Sequence, residues 1–251
     1  MNEPTPTQTR MRDRLPLAPQ RETGFRWRGT EVSRVEGFTD AVFAFAVTLL
    51  VVALEVPHSF EGLMDVVRGF PAFVICFALL MTFWNAHYRF HRRYGMEDVP
   101  TRILTMAIIV LVLFFVYPLK FLFTMITVNL FGLAMHDAPH LETLEQLQIL
   151  YTVYGFGFAG VWGLYAALYL HAYRKRVQLG LDAAELLYTK AGISEHLIFV
   201  AVCLLSVALA WTVNDDTSLP GYTYFLLGPL QALSGWLFGR KIRALVVART
   251  P

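Results

Sequence analysis

Six stretches of apolar residues divide the sequence, and each is about long enough to cross a bilayer. In the first, from Phe38 to Val56, the ionisable residues are Asp40 near the start and Glu55 near the end. The other five cover about 70–88, 103–126, 149–171, 194–213 and 222–238. A helix rises about 1.5 Å per residue and the hydrocarbon core is about 30 Å thick, so about 20 apolar residues span it. The pattern predicts an all-α polytopic membrane protein with six transmembrane helices.

The third stretch is longer than one crossing needs, because apolar residues continue past Pro118 and Lys120 to Met135. Proline interrupts the hydrogen bonds of a helix interior. We therefore expect the chain to bend there and to run along the outer interface, with the Lys120 ammonium reaching the lipid headgroups.

Composition agrees with a membrane protein. Of the 251 residues, 56% are hydrophobic and 14% are aromatic, and the mean hydropathy is +0.49. A soluble domain of this size cannot bury so much apolar surface. The two cysteines, Cys76 and Cys203, lie inside apolar stretches and resemble small buried hydrophobic residues, so neither a disulfide framework nor a thiol catalyst is expected.

The basic residues predict the orientation. If alternate loops lie on opposite sides, 19 Lys and Arg residues fall on the side of the termini, and only Arg68 and Lys120 fall on the other. Cytoplasmic loops carry the excess of Lys and Arg, so both termini are predicted to be cytoplasmic. The outer side also holds eight acidic residues, giving it a formal net charge of −6, which attracts cations. These acidic residues are Glu55, Glu61, Asp65, Asp137, Glu142, Glu145, Asp215 and Asp216.

Three regions follow from this pattern. Residues 1–33 are polar and basic and lack the early apolar stretch of a cleaved secretory signal, so a disordered cytoplasmic tail is expected, solvated or touching anionic lipid. Residues 34–240 form the six-helix domain. Residues 241–251 form a short cytoplasmic C-terminal tail.

The first span carries an apolar stripe. At about 100° per residue, its members fall within about 60° of one line, while Asp40 lies about 140° away. The members are Phe38, Ala41, Phe45, Thr48, Leu49, Val52 and Val56. Such a stripe is typical of an ordinary packing face, and the residues alone leave open whether it has another role.

Asp40 needs a partner from another element. An ionisable residue inside a span is costly and suggests a functional site. Arg34 stands six residues away, which is not a neighbour spacing on a helix. The second span ends with Trp84 and His87 at a similar depth; an imidazole and a carboxylate favour each other's charged form, and an indole N–H can donate. We expect Asp40, Trp84 and His87 to pin the first two helices together.

Motifs for enzymatic chemistry are missing from the sequence. It has no Walker loop, no Gly-x-Ser-x-Gly and no His-Glu-x-x-His. His87 and His91 stand one helical turn apart, but a metal site needs three or four ligands and no second His or Cys cluster accompanies them. Neither an enzyme nor a metalloprotein is predicted.

Two motifs together carry a resemblance to a known family. They are Arg34-x-x-x-Phe38-Thr39-Asp40 in the first span and Trp84-x-x-His87 at the end of the second. This combination resembles the bacterial members of the transmembrane protein 175 family of potassium channels, whose pattern is Arg-x-x-x-Phe-Ser-Asp. Thr39 replaces the serine and keeps a hydroxyl. The likeness covers about residues 34–240.

The resemblance implies a homotetramer in the bacterial inner membrane, with a potassium pore on the four-fold axis lined by the first helix of each subunit. It implies no cofactor, and its partners are other copies of the chain, membrane lipids and potassium ions, with no nucleic acid. By position, the pore residues are Phe45, Thr48, Leu49 and Val52, with Thr48 as a hydroxyl layer between hydrophobic rings. The scaffold of the pore helix is Arg34, Phe38, Thr39, Asp40, Trp84 and His87.

One position departs from the family. Its narrowest ring is usually leucine or isoleucine, and Phe45 stands there in this chain. Four phenyl rings can close a pore by bulk and dewetting or offer their faces to a cation. A tighter gate, an altered selectivity and a non-conducting relative all remain open. The alternative function is a proton- or cation-coupled secondary transporter in which Asp40 and His87 titrate.

Overall fold

Helices make up nearly all of the structure. The computed structural model describes residues 21–22, 25–53, 56–133, 139–213 and 218–247. A short antiparallel hairpin, β1 (Arg21–Glu22) and β2 (Phe25–Arg26), precedes the helices. The helices are α1 (Arg34–Val52), α2 (Phe60–Arg68), α3 (Phe70–Tyr94), α4 (Val99–Phe131), α5 (Leu144–Arg174), α6 (Ala183–Thr212), α7 (Leu219–Tyr222) and α8 (Leu227–Val247), with a 3₁₀ turn at Thr223–Leu226. The predicted all-α class is confirmed, apart from the hairpin.

Five of the described helices, α1, α3, α4, α5 and α6, are long and apolar enough to cross a membrane. They correspond to the first five predicted spans, and the prediction of a membrane protein is confirmed. Helix α8 takes the place of the sixth span, but it begins only at Leu227 and carries Arg240, Lys241 and Arg243. With these charges in its second half, α8 is not among the described helices with a sufficiently apolar stretch of membrane-spanning length, so the sixth crossing stays a prediction.

The ends of the first and third spans differ from the expectation. Helix α1 ends at Val52, and Val56 lies beyond it in a non-helical segment. Helix α4 continues through Pro118 as one helix to Phe131. The Lys120 ammonium donates a hydrogen bond to the carbonyl of Ala53, the residue that ends α1. Lys120 therefore has a partner at the C-terminus of α1, where unpaired carbonyls attract a cation, and its contact with headgroups stays a prediction.

Helix caps explain where several helices begin. Ser33 and Glu36 form a reciprocal capping box at α1, and Asp182 and Glu185 form another at α6. Asp98 accepts a hydrogen bond from the Thr101 amide at the start of α4. Each cap satisfies amides that the first turn of a helix leaves unpaired.

The core lies between α1, α3, α4 and α5, and α6 packs against it. Helices α5 and α6 approach closely at Gly155 of α5, where a Cβ would lie 2.2 Å from Val207 Cγ2. Trp162 and Phe199 stack with ring centroids 4.3 Å apart across these two helices. Since lipid is as apolar as a protein core, close packing of this kind is what holds membrane helices together.

The segment that precedes α1 is packed, in contrast to the expectation. We call residues 25–33 the strap. Phe25 is fully buried, and Arg28 pairs with Glu185 of α6 at 2.6 Å. The prediction of disorder is therefore wrong for the strap, because its aromatic and basic side chains find partners on the helices. Residues 1–20 and 248–251, with most of the predicted tails, lie outside the described residues, as do Glu55, Met135, Asp137, Asp215 and Asp216.

Candidate functional site

Helix α1 has one packed face and one uncovered face. The packed face lies against α3 and α4. Its buried members are Glu36, Thr39, Phe43, Ala46 and Leu50. The uncovered face holds Phe38, Asp40, Ala41, Ala44, Phe45, Thr48, Val51 and Val52. Phe45 is 55% exposed and Val52 is 65% exposed in the single chain, so lipid or another protein must cover this apolar surface.

The predicted stripe and the uncovered face overlap without coinciding. Phe45, Thr48 and Val52 are exposed, whereas Leu49 is partly buried and packs against the core. The uncovered face is displaced around the helix from Leu49 towards Ala44 and Thr48. The Thr48 hydroxyl donates to the Ala44 carbonyl at 3.0 Å, so its oxygen lone pairs remain free to accept or to coordinate. The pore role of these four residues stays a prediction.

Asp40 has the predicted indole partner. Trp84 Nε1 donates to Asp40 Oδ1 at 2.8 Å, joining α1 to α3 at the edge of the uncovered face. A hydrogen bond to an ionised carboxylate is stronger than a neutral one. Trp84 and Asp40 therefore fix the rotation of α1 relative to α3.

The predicted contact between His87 and Asp40 is wrong. His87 is only 1% exposed, and its ring faces that of His91, with centroids 4.2 Å apart. The structure describes both His87 and Asp40 and has no ion pair between them. The reason is direction: Asp40 lies at the exposed edge of α1, while His87 points into the subunit.

The other residues of the first motif divide between the two faces. Thr39 is fully buried and its hydroxyl donates to the Val35 carbonyl at 2.7 Å. Phe38 is 52% exposed, and Arg34, the first residue of α1, is exposed. Thr39 therefore belongs to the subunit interior, whereas Phe38 and Arg34 face outwards.

A polar network surrounds the N-terminal end of α1, which was not predicted. Glu36 Oε1 lies 3.2 Å from Arg92 Nη2 of α3, and both side chains are largely buried. The Ser33 amide donates to Glu36 Oε2 at 2.9 Å, and the Glu36 amide donates to Ser33 Oγ at 3.1 Å. The strap joins the same network, because the amides of Arg28 and Gly29 donate to the Arg92 carbonyl at 3.1 and 3.2 Å.

Aromatic rings connect this network to Asp40. Trp84 stacks on Tyr88 with centroids 5.6 Å apart, and Trp27 of the strap meets Tyr88 edge-on at 6.4 Å. The Arg92 guanidinium lies 5.3 Å from the centre of the Tyr88 ring. A continuous row of contacts therefore leads from the strap to the carboxylate of Asp40.

The C-terminal end of α1 has less support. Lys120 of α4 donates to the Ala53 carbonyl there. Helix α2 follows, and none of its residues is buried; Phe60 is 75% and Val67 is 53% exposed. The two ends of α1 are therefore held very differently.

A second ionic cluster ties the start of α4 to the end of α5. Asp98 Oδ2 lies 2.7 Å from His171 Nε2 and 2.5 Å from Lys175 Nζ. Desolvation by itself raises the pKa of the Asp98 carboxyl. Hydrogen bonds from Lys175, Thr101 and His171 outweigh it and hold that pKa well below its ordinary value.

The described residues contain no group of three or more His, Cys, Asp and Glu side chains close enough to hold a metal ion. His87 and His91 are neighbours, but both rings are buried and the Nε2 atom of each has no hydrogen-bond partner among the described atoms. The uncovered face of α1 can instead line a path for an ion or form an interface with another protein.

Some of the missed residues had a signal in the sequence. Ser33-x-x-Glu36 and Asp182-x-x-Glu185 are capping-box patterns, which place Glu36 and Glu185 at helix N-termini. Phe25 and Trp27 are aromatic residues in an otherwise polar segment, which is unusual for a disordered tail. The pairing of each acid with a particular arginine had no such signal, because it depends on contacts between distant segments.

Sequence comparisons identify relatives across most of the chain. A family model described as endosomal/lysosomal potassium channel TMEM175 matches residues 34–118. A potassium channel from Marivirga tractuosa is 33% identical over 231 residues, covering 88% of this chain and 94% of the relative. A potassium channel from Chamaesiphon minutus is 34% identical over 68 residues, covering 24% of this chain and 34% of the relative.

Solved structures agree. A variant of the potassium channel MtTMEM175, crystallised with a nanobody–MBP fusion, has a TM-score of 0.77 at 32% identity and covers 86% of this chain and 97% of that chain. A homologue of the lysosomal potassium-selective channel TMEM175 from Chamaesiphon minutus has a TM-score of 0.53 at 22% identity, covering 80% and 96%, and supports the fold. The family resemblance is confirmed, and this chain belongs to the TMEM175 family of potassium channels.

Proposed function

We propose that four copies of this chain form a potassium-permeable channel whose pore is lined by the uncovered face of α1. The observation that carries the proposal is the division of α1 into a packed face and an apolar, uncovered face that includes a threonine hydroxyl. Family membership and the potassium channels among the relatives support the permeant ion. Assembly on an axis would cover the exposed face with other copies of α1.

The narrow part of such a pore is apolar. Rings of Phe45 and Val52, with Leu49 at the margin, would make the ion shed part of its hydration, which favours the more weakly hydrated potassium ion over sodium. The Thr48 hydroxyls between them would replace part of the lost coordination. The faces of the Phe45 rings could contribute a cation–π attraction. No cofactor takes part in this passive flux.

The proposed location is the inner membrane, with both termini in the cytoplasm. Contacts such as Arg28 with Glu185 and Asp98 with His171 bring the N-terminal end of α1 and the basic ends of α3, α5 and α6 to one side of the bundle. The positive-inside rule places that side in the cytoplasm. Both termini lie on the cytoplasmic side only if α8 crosses the membrane as the sixth span.

The alternative of a secondary transporter has less support. It would use Asp40 and His87 as titrating groups, but these side chains are not in contact, and Asp40 binds the indole of Trp84 instead. Replacement of Asp40 by asparagine would abolish transport in that case, and substitution of Phe45 would have no effect.

The test is flux through purified protein in liposomes, wild type beside Phe45→Leu. We expect passive, charge-carrying potassium flux, and we expect Phe45→Leu to change the rate of this flux by about tenfold. A change of about 1.4 kcal/mol in an energy barrier corresponds to a factor of ten, and the substitution is present in every subunit. Phe114→Leu, at a Phe of α4 that is 66% exposed, is the matched control with unchanged flux.

Two results would overturn the proposal. One is the absence of potassium flux in both wild type and Phe45→Leu. The other is a stable monomer in mild detergent, measured by light scattering, because a single copy of α1 cannot surround a pore.

A further inference from the structure

The strap is built into the subunit more firmly than a connecting segment requires. The Phe25 ring meets Tyr94 and Tyr188 edge-on, with centroids 5.5 and 6.0 Å away. The guanidinium groups of Arg28 and Arg93 lie 5.6 and 5.5 Å from the centre of the same ring. Aromatic and cation–π contacts of this kind stabilise a buried ring in addition to the effect of burying its apolar surface.

Arg28 is the most highly connected residue of the strap. Its Nη1 and Nη2 atoms donate to Glu185 at 3.1 and 2.6 Å, and its Nε and Nη2 atoms donate to the carbonyls of Leu179 and Gly180 at 2.9 and 3.2 Å. The Glu185 side chain is only 4% exposed. Arg28 thereby attaches the strap to the start of α6 and to the turn before it.

Backbone contacts leave the strap little freedom. A Cβ on Gly29 would lie 2.4 Å from the His91 carbonyl oxygen. Gly95, at φ 58°, ends α3, and a Cβ there would lie 3.0 Å from the Arg28 carbonyl carbon. Glycine is needed at both positions so that the two segments can approach.

Two routes connect the strap to α1. In the first, the amides of Arg28 and Gly29 bind the Arg92 carbonyl, and the Arg92 side chain pairs with Glu36 in the first turn of α1. In the second, Trp27 contacts Tyr88, Tyr88 stacks on Trp84, and Trp84 binds Asp40. A pocket of about 180 Å³ lies beside the strap, and its lining includes Ser33 and Glu36.

We propose that the strap is a clamp that sets the position of the N-terminal end of α1, with Arg28 as a positioning residue for potassium selectivity. The inference rests on the proposed function, in which α1 lines the pore. Where the narrow part of a pore is apolar, discrimination between ions depends on its radius. Release of the clamp would let α1 move into the pocket and populate wider pores, so flux rises and the preference for potassium over sodium falls.

The experiment compares two variants with a matched control in the full-length channel. Glu185→Gln removes the charge that pairs with Arg28, and the double variant Arg28→Met with Glu185→Met removes both charges. Glu195→Gln is the control, because Glu195 also lies on α6 and pairs with an arginine, Arg89, but at 3.6 Å and with its side chain 39% exposed. Potassium and sodium flux, thermal stability and backbone hydrogen exchange are measured on each.

We expect both variants to lower the potassium-to-sodium permeability ratio by about twofold or more. A twofold change is at the lower end of the effects that substitutions within a connected network of contacts have on a distant site. Hydrogen exchange should become faster in the strap and also in the first two turns of α1. A buried charge left without its partner destabilises, so the double variant should regain thermal stability relative to Glu185→Gln. Its selectivity should nevertheless stay low.

The outcomes separate the two proposals. If the wild type conducts no potassium, the proposed function fails, while hydrogen exchange still tests the clamp. If the wild type conducts and both variants match Glu195→Gln in selectivity and in α1 exchange, the clamp is overturned. Selectivity that recovers together with thermal stability in the double variant also overturns it, because the pair would then serve folding only.

Discussion

Phe43 and Phe45 stand two positions apart on α1 and have opposite surroundings. Phe43 is 2% exposed and belongs to the core cluster, whereas Phe45 is 55% exposed. Thr39 and Thr48 repeat the contrast, since one is fully buried and the other is exposed. The residue type is the same within each pair, so the two members differ only in the face of the helix on which they lie.

This contrast divides α1 into a packed face and a face that the single chain leaves uncovered. Its packed face holds the subunit together, and polar groups there, such as Glu36, are paired inside the chain. Apart from Asp40 at its edge, which binds Trp84, its uncovered face packs little within the single chain. Substitutions on the packed face should therefore change stability, and equal substitutions on the uncovered face should change flux.

The largest expected effect comes from the phenylalanine pair. Phe43→Ala should lower the free energy of unfolding by about 3 kcal/mol, the lower end for truncating a buried phenylalanine. The lower end applies because lipid tails are as apolar as a protein core and mainly packing is lost. Thermal denaturation of the detergent-solubilised protein measures the loss.

Phe45→Ala is the matched partner of that experiment. We expect a much smaller change in stability and a clear change in potassium flux, because the side chain packs little within its own subunit. If Phe45→Ala destabilises the chain as much as Phe43→Ala and leaves the flux unchanged, the division of α1 into two faces is wrong.

The next effect concerns the hydrogen bond at the border between the faces. Trp84→Phe keeps an aromatic ring but removes the N–H that binds Asp40, and hydrogen bonds to charged groups contribute about 1.5–3 kcal/mol. We expect a loss near the lower limit, because the contact is partly exposed, together with altered flux. Denaturation and liposome flux on the same preparation check both effects.

Trp211→Phe provides the control for the tryptophan experiment. Trp211 Nε1 also donates over 2.8 Å, to Thr152 Oγ1, but on α6 and away from α1. We expect a smaller loss of stability there and normal flux. Equal changes of flux in the two variants would show that the Asp40 contact has no special relation to the pore.

The sequence predicted these features unequally. The spans α1 and α3 to α6 and the Trp84–Asp40 contact followed from apolar length and from residues at the same depth. His87 was misplaced because depth says nothing about which way a side chain points around α3. The strap was missed because its partners, such as Glu185, are distant in the sequence, and a polar segment rich in arginine resembles a disordered one until those partners are known.

Stability should depend on pH through the ionic cluster of Asp98, His171 and Lys175. The pKa of Asp98 is lowered in the folded chain, so its contribution to stability is present above the unfolded pKa of about 4 and is lost as the pH falls below it. Asp98→Asn keeps a good helix cap but removes the charge. It should destabilise by up to about 1 kcal/mol at pH 7, as partly exposed ion pairs do.

The difference in melting temperature between wild type and Asp98→Asn should shrink as the pH is lowered from 7 to 3. Selectivity should be unchanged at pH 7, because Asp98 ties α4 to α5 and does not contact α1 in the structure. A difference that is constant across this range would show that the charge of Asp98 contributes nothing.

The threonine pair gives the smallest change in stability and the sharpest comparison. Both hydroxyls donate to a carbonyl one turn earlier, at 2.7 Å for Thr39 and 3.0 Å for Thr48. Valine has nearly the same shape, so Thr39→Val and Thr48→Val each remove one hydroxyl. We expect either change to alter stability by about 1 kcal/mol or less, since a single hydrogen bond contributes about that much. Only Thr48→Val should slow potassium flux in liposomes, because only its hydroxyl faces the proposed ion path. Equal flux in the two variants would mean that potassium crosses the apolar rings without help from the hydroxyl layer, and the pore would then depend on the radius set by Phe45 and Val52 alone.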